Sequence, residues 1–300
     1  MTKTILAFGG GVDSTAILAA HLYTATVANL TGTSANEIRD AIGQIDHVVF
    51  ADPGAEFAHT YTNVDTAIRQ CGIASIPFSR VRKMDKDGNP MTIQQWLLGN
   101  GTVPVMPGGP HVCSLKFKGE PMQKWATKEY AGDDITWLVG IEANETQRAR
   151  FQADPKSKHQ FKHPLVDLGW TRETCEQIIA AVWPHAVKKS SCVFCPFMSQ
   201  CEIEQAAQDD DAWAQVEEIE RAFEATSAIK HQAWLDAGKP LVGEKRPRAP
   251  KGMWRIDSWA AGARLFAKRV EGRQLSTGEW RARVTVVEDA FTIPSFLRRA

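Results

Sequence analysis

The 300-residue sequence predicts an α/β fold, a parallel sheet with helices on both faces, followed by a mostly helical C-terminal extension. Three observations carry that expectation. Short apolar runs alternate with stretches of helical apolar spacing over the first 140 residues. The first run turns through three successive glycines directly into a helix. The chemically distinctive residues, Gly9 to Ser14, Asp52 and Gly140 to Arg148, each follow a predicted strand, and ligands of such sheets bind at the carboxyl ends of the strands.

Ile5 to Phe8 is the first apolar run, and Ser14 to Leu22 follows with helical spacing. His47 to Ala51 reads as a second strand that ends at the turn Asp52-Pro-Gly54. Ala58 to Cys71 reads as a helix, Ser75 to Val81 as a third strand and Ile93 to Leu98 as a short helix. Gly99 to Pro110, rich in Gly and Pro, reads as a loop. Glu120 to Tyr130 is a predicted helix and Ile135 to Val139 a fourth strand, closed by Gly140. Beyond Arg150 the pattern is less regular: Thr171 caps a helix running to Val182, and Asp209 to Asp211 precede one whose Trp213, Val216, Ile219 and Phe223 share a face. Ala282 to Val287 reads as a strand. Residues 1–200 are expected to form one domain with a cysteine site at its end, and 201–300 a helical, basic C-terminal region.

Apolar residues make up 43% and charged residues 23%, enough to build a sizeable core. No apolar run approaches the roughly 20 residues of a membrane span, so no membrane partner is expected. The first eight residues read as a buried strand and not as a signal peptide, which points to a cytoplasmic address. Net charge is zero but uneven. Residues 229–300 hold 15 Lys and Arg against 7 Asp and Glu, a balance of +8, which leaves −8 for the rest. An anionic partner for the C-terminal region or a merely solvated basic surface would both explain it.

Phe8-Gly-Gly-Gly-Val-Asp-Ser-Thr15 is the strongest local signal. Successive glycines between a strand and a helix let backbone N–H groups approach an anion closely. The helix start adds partial positive charge, and Ser14 and Thr15 add hydroxyls. Gly9, Gly10, Gly11, Val12, Asp13, Ser14 and Thr15 are therefore candidate nucleotide-binding residues, with Asp13 beside Mg²⁺ or at the helix cap. The loop is neither a Walker A motif nor a dinucleotide fingerprint.

It resembles the Ser-Gly-Gly-x-Asp-Ser loop of the N-type ATP pyrophosphatases, the pyrophosphatase-loop or adenine nucleotide alpha hydrolase-like superfamily, with Gly9 where that loop has serine. Within it the chain looks most like the phosphoadenosine phosphosulfate reductase-like branch. Asp52-Pro-Gly-Ala-Glu-Phe57 with Thr60-Tyr61, Gly140-Ile-Glu-Ala-Asn-Glu145 with Arg148, His163 to Trp170 and Ser191 to Phe197 resemble segments of that branch in order, over roughly residues 4–200. The resemblance implies ATP with Mg²⁺, cleaved between its α and β phosphates, and a catalytic set of Asp13, Ser14, Asp52, Glu145 and Arg148. Asp52 would lie near the ribose or a metal, Gly140 beside the nucleotide, and Glu145 and Arg148 near the phosphates or second substrate. A turn-forming role for Asp52 and a surface ion pair of Glu145 with Arg148 are the competing readings.

The six cysteines divide in two. Cys71 and Cys175 sit in apolar helical patterns and read as core. Cys192 and Cys195 have chelating spacing, with Cys201 close by and Cys113 further upstream. Together they suit a 4Fe–4S cluster or a zinc ion, with His111 or His163 able to replace Cys201. A redox pair without metal is the alternative. The leading functional reading is an ATP-dependent sulfur-transfer enzyme that adenylates a substrate, with tRNA or DNA as candidate substrate and a protein or small thiol as sulfur donor. Sulfonucleotide reduction is the second reading, although no cysteine follows Cys201. A non-catalytic nucleotide-binding module with structural zinc is the third.

Overall fold

The computed structural model describes residues 1–104, 112–150, 156–236, 269–270, 273–275 and 278–283. In chain order it contains β1 (Thr2–Ala7), α1 (Val12–Leu22), α2 (Thr24–Thr31), α3 (Ala35–Ile42), β2 (His47–Ala51), α4 (Ala58–Ile73), β3 (Phe78–Val81) and α5 (Ile93–Asn100). Then come α6 (Val112–Ser114), which passes through a π-turn at Leu115–Gly119 into α7 (Glu120–Glu129), and β4 (Asp134–Val139), β5 (His159–Lys162), α8 (Pro164–Asp167) and α9 (Arg172–Val182). α10 (Gln200–Gln208), α11 (Asp210–Asp236) and the antiparallel pair β6 (Arg269–Val270) and β7 (Arg273–Gln274) complete the described elements.

Two compact units divide the chain: Met1–Thr92 with Cys113–Ser191, and Ile93–Val112 with Cys192–Ala300. The first holds the predicted sheet, with all five strands parallel in the order β3-β2-β1-β4-β5. Successive side chains of a strand face opposite sides. In β1, Leu6 joins a core with Val48, Phe50, Leu138 and residues of α1, α4 and α9, while Ile5 joins Val49, Trp137 and Ala126 of α7 on the other side. Helices therefore cover both faces, as the near-continuous apolar strands require. β1 is central because the chain builds outward from it to β2 and β3, then returns to place β4 on its other flank. That reversal opens a crevice at the carboxyl ends of β1 and β4.

Several elements carried weaker sequence signals. β5 is an edge strand of half-buried, mostly polar residues, so it lacks an apolar run. α3 and α10 are short, and each begins with a capping box, Ser34 with Glu37 and Ser199 with Glu202. The third strand starts at Phe78 and not at Ser75, because Ser75 takes a left-handed backbone (φ 57°) that turns the chain out of α4. In the second unit, Trp213, Val216, Ile219 and Phe223 of α11 are buried as the spacing predicts. α5 packs along α11, which draws Ile93–Val112 into this unit. The unit also begins at Cys192, ahead of the expected boundary at residue 200. Residues 278–283 are helical, so Ala282 does not start a strand; the rest of that predicted strand lies outside the described residues. No helix among the described residues is long and apolar enough to cross a membrane.

One glycine sets how closely β4 approaches the first helix. A Cβ on Gly140 would lie 2.7 Å from the Ser14 nitrogen and 2.9 Å from Asp13 Cβ. Gly140→Ala should therefore cost about 1–3 kcal/mol of stability by overpacking. Gly72→Ala, at a position in α4 with no atom within 4 Å of the new carbon, should instead stabilise by roughly 0.5–1 kcal/mol. Urea denaturation of the two variants checks both signs.

Candidate functional site

The crevice holds a cavity of about 410 Å³. Its floor is the loop between β1 and α1. α1 begins at Val12 with Gly11 as its N-cap, and no side chain caps it. Its first N–H groups are thus the unsatisfied donors that any helix start presents, reinforced by the helix dipole. Gly9, Gly11, Val12, Asp13 and Ser14 all line the cavity, and Gly140, Glu145 and Arg148 line it from the end of β4.

The loop is shaped from within and from behind. Gly9 N–H donates to Ser14 Oγ (3.1 Å), and the Ser14 hydroxyl donates to Gly11 O (3.3 Å). Behind it stands Asn63 of α4, buried, whose amide nitrogen donates to Gly10 O (3.0 Å) and to Thr15 Oγ1 (2.8 Å). The Asn63 oxygen accepts from the Trp183 indole N–H (2.9 Å), which ties the loop to the end of α9 as well.

Two expected ligands are spent on this support. Thr15 is wholly buried and its hydroxyl donates to Gly11 O (2.8 Å), so it faces α4 and not the cavity. Gly10 does not line the cavity either. Its φ of +73° makes the turn, and a Cβ there would meet Thr60 Cγ2 at 2.8 Å. Glycine is needed at that position for backbone geometry and packing, and only indirectly for an anion.

Asp52 is likewise turned inward. Its Oδ2 accepts from the guanidinium groups of Arg80 (3.0 and 2.7 Å) and Arg82, and its Oδ1 from Gly54 N–H (2.8 Å) and the Tyr61 hydroxyl (2.9 Å). Burial would raise this carboxyl, but the donors of Arg82, Gly54, Arg80 and Tyr61 outweigh it and hold the group below the usual carboxylate range. With its side chain fully enclosed and both oxygens engaged, Asp52 orders two arginines and leaves no open position for a ribose or a metal.

Four cations line the cavity: Lys118, Arg148, Arg172 and Lys189. Three are held on carboxylates. Lys118, in the π-turn, contacts buried Glu56 (2.7 Å), whose second oxygen makes no hydrogen bond among the described residues. Arg148 pairs with Glu145 across one helical turn. Arg172 meets Asp13 Oδ1 at 2.8 Å, an ion pair without hydrogen-bond alignment, and donates to Oδ2 at 3.2 Å. Burial is the main influence on Asp13 and raises it to about 6, against the lowering by Arg172, while Glu145 and Glu142 raise it further. Asp13 thus titrates well above the usual carboxylate range, within a cavity lined mainly by cations.

The cysteines fall into both units, Cys113 in the first and Cys192, Cys195 and Cys201 in the second. Cys192 and Cys195 share a turn in which Cys195 N–H donates to Cys192 O (3.0 Å), and both are half-buried; Cys201 is exposed at the start of α10. Within the described residues no group of three or more His, Cys, Asp or Glu side chains is placed to hold a metal ion. His111, an alternative ligand, lies outside the described residues. Cys71 and Cys175 are core thiols, pushed up to about 12 by burial. Most of the basic C-terminal stretch, including Lys245 to Lys251, Trp254 and Trp259, also lies outside the described residues. Trp280 is fully buried, so its ring is not available to stack on a base.

No protein-family model matches this chain, and no curated protein matches it.

Two outcomes follow from this geometry. Asn63→Ala removes the partners of Gly10 O and of the Trp183 indole, and should lower stability by about 1–3 kcal/mol in urea denaturation. Asp13 gives a pH signature. A phosphate bound beside it raises its proton affinity above the starting value of about 6, so binding without Mg²⁺ at pH 6.5 takes up protons. Calorimetry of ATP in two buffers of different ionisation enthalpy should register that uptake. Asp13→Asn, which leaves only the nucleotide's own protons, should show less uptake and tighter binding at pH 7.5.

Proposed function

We propose that this chain binds ATP in the crevice between β1 and β4 and adenylates an acceptor oxygen. The observation that carries the reading is the meeting of an uncapped helix start, a glycine loop and four cations in one cavity. The loop and helix offer backbone donors to a phosphate, and the cations arrive from separate segments around it. The cavity volume of about 410 Å³ is that of a small-molecule site.

In this reading the acceptor oxygen attacks the α phosphorus, and pyrophosphate leaves with the electrons of the bond between the α phosphorus and the bridging oxygen. Lys118, Arg148, Arg172 and Lys189 stabilise the charge that develops on the leaving pyrophosphate. Three of these cations rest on Glu56, Glu145 and Asp13, and a polyphosphate would compete for them. Asp13 is the carboxylate of the loop able to meet Mg²⁺, but only after it exchanges Arg172 for the ion; Mg²⁺ would offset phosphate charge.

Adenylation makes AMP a leaving group, and we assign sulfur as the nucleophile that displaces it. The Cys192-Val-Phe-Cys195 turn is the reason for choosing sulfur: a persulfide-bearing donor supplies the attacking sulfur, AMP leaves with the electrons of its bond to the acceptor, and a thiol reduces the remaining sulfur–sulfur bond to release the thiolated acceptor. The basic C-terminal residues support a nucleic acid, tRNA or DNA, as the acceptor.

ATP:pyrophosphate exchange tests the first half directly. Wild type should exchange labelled pyrophosphate into ATP in the presence of its acceptor. Lys118→Ala and Arg172→Ala should each weaken ATP binding about tenfold or more, the worth of one charge-assisted hydrogen bond. Arg39→Ala, on α3 and outside this cavity, should leave it unchanged. Equal affinity in all three variants would reject the phosphate site.

A further inference from the structure

The cavity has a second wall whose residues carry no motif. Lys189 and Ser190 line it, brought there by the stretch that follows α9. That stretch is pinned on both sides of Ser190. The carbonyl of Lys189 accepts from His59 Nε2–H (3.2 Å), and the carbonyl of Ser191 accepts from Phe57 N–H (3.2 Å). His59 and Phe57 stack on each other at the start of α4, with ring centroids 5.4 Å apart. Ser190 is therefore held by backbone bonds to its two neighbours, which leaves its side chain to be directed by position alone.

That position is over the glycine loop. A Cβ on Gly11 would come within 2.9 Å of Ser190 Oγ and 3.0 Å of its nitrogen, so the absence of a side chain at Gly11 is what allows Ser190 to sit there. A Cβ on Gly9 would be 3.9 Å from Ser190 Oγ and 3.8 Å from Ser14 Oγ, at ordinary contact distance from both, and the backbone there is not left-handed. A serine at position 9 would thus carry its hydroxyl into the space that Ser14 and Ser190 already border. Position 9 carries no hydroxyl of its own, and that of Ser190 stands beside it on another segment.

We propose that Ser190 is a phosphate-binding residue of this cavity, donating its hydroxyl to the phosphate chain of the nucleotide from across the glycine loop, in the place a side chain at position 9 would serve. The inference rests on the reading of the cavity as a phosphate site. The Ser190 hydroxyl caps the bound oxyanion from the side opposite α1, so the anion is gripped between a helix start and a separate, pinned strand of chain. The hydroxyl can be supplied from either position, and the two sources are interchangeable.

A double-mutant cycle on the full chain tests this, read by calorimetry with ATP and with inorganic pyrophosphate. Ser190→Ala should weaken both ligands about tenfold, as expected for the loss of a hydrogen bond to a charged group, with an unchanged unfolding midpoint. Adding Gly9→Ser to that variant should restore most of the affinity, which a merely structural role for Ser190 would not permit. Ser190→Cys, close in shape but a much weaker donor, should weaken both ligands several-fold and keeps the test open should Ser190→Ala fold poorly. Unchanged affinity in Ser190→Ala or Ser190→Cys overturns the proposal, as does a loss that Gly9→Ser leaves unrestored. Wild type that binds neither ATP nor pyrophosphate rejects the phosphate site itself, and is thereby distinct from failure at Ser190 alone.

Discussion

The loop between β1 and α1 must leave its donors toward the cavity open, so its remaining polar groups have to be satisfied from behind, away from water. Asn63 meets that constraint with one side chain, donating to Gly10 O and Thr15 Oγ1 while accepting from the Trp183 indole. A buried amide with all these bonds made fixes position as well as energy, because each lost partner would leave a polar group unsatisfied in a dry interior. Through it the loop is coupled to α4 and to the end of α9. α4 also pins the stretch carrying Ser190, so the floor and the far wall of the cavity share one support.

Charge is organised by the same logic of holding groups ready. Lys118, Arg148 and Arg172 rest on the carboxylates of Glu56, Glu145 and Asp13. A cavity of four unpaired cations would repel itself and lose stability. Pairing removes that cost while leaving a surplus of positive charge, since four cationic and two acidic side chains line the space. Asp13 is held less firmly as an anion, because burial and neighbouring carboxylates raise it to about 6. Asp52 belongs to the opposite case. Its arginine, tyrosine and backbone donors fix it as an anion, and it serves as scaffold for Arg80 and Arg82.

Much of the site was legible as a run of adjacent letters. Gly9, Gly11, Val12, Asp13 and Ser14 follow the first strand, Gly140, Glu145 and Arg148 follow the fourth, and all eight line the cavity. Residue type did not tell direction. Ser14 and Thr15 both carry hydroxyls at a helix start, but successive helical residues point about 100° apart, so Ser14 meets the cavity and Thr15 meets Asn63. Asp52 follows a strand like the others, yet Arg80 of the neighbouring β3 and Arg82 just past its end reach it first. Lys118, Arg172, Lys189 and Ser190 come from three further segments and share no spacing. Asn63, an amide in the middle of an ordinary helix, carried no signal at all.

The sequence by itself determined the alternation of strands and helices and the uncapped glycine turn, because burial periodicity and backbone freedom are local properties of a few neighbouring residues. Only the tertiary structure decided which side chains surround that turn. Placing β4 beside β1 brought Gly140 against Ser14, and packing α9 against α1 brought Arg172 to Asp13. Those meetings join residues more than a hundred positions apart, and their cause is the order in which strands pair, which no short stretch of the chain encodes.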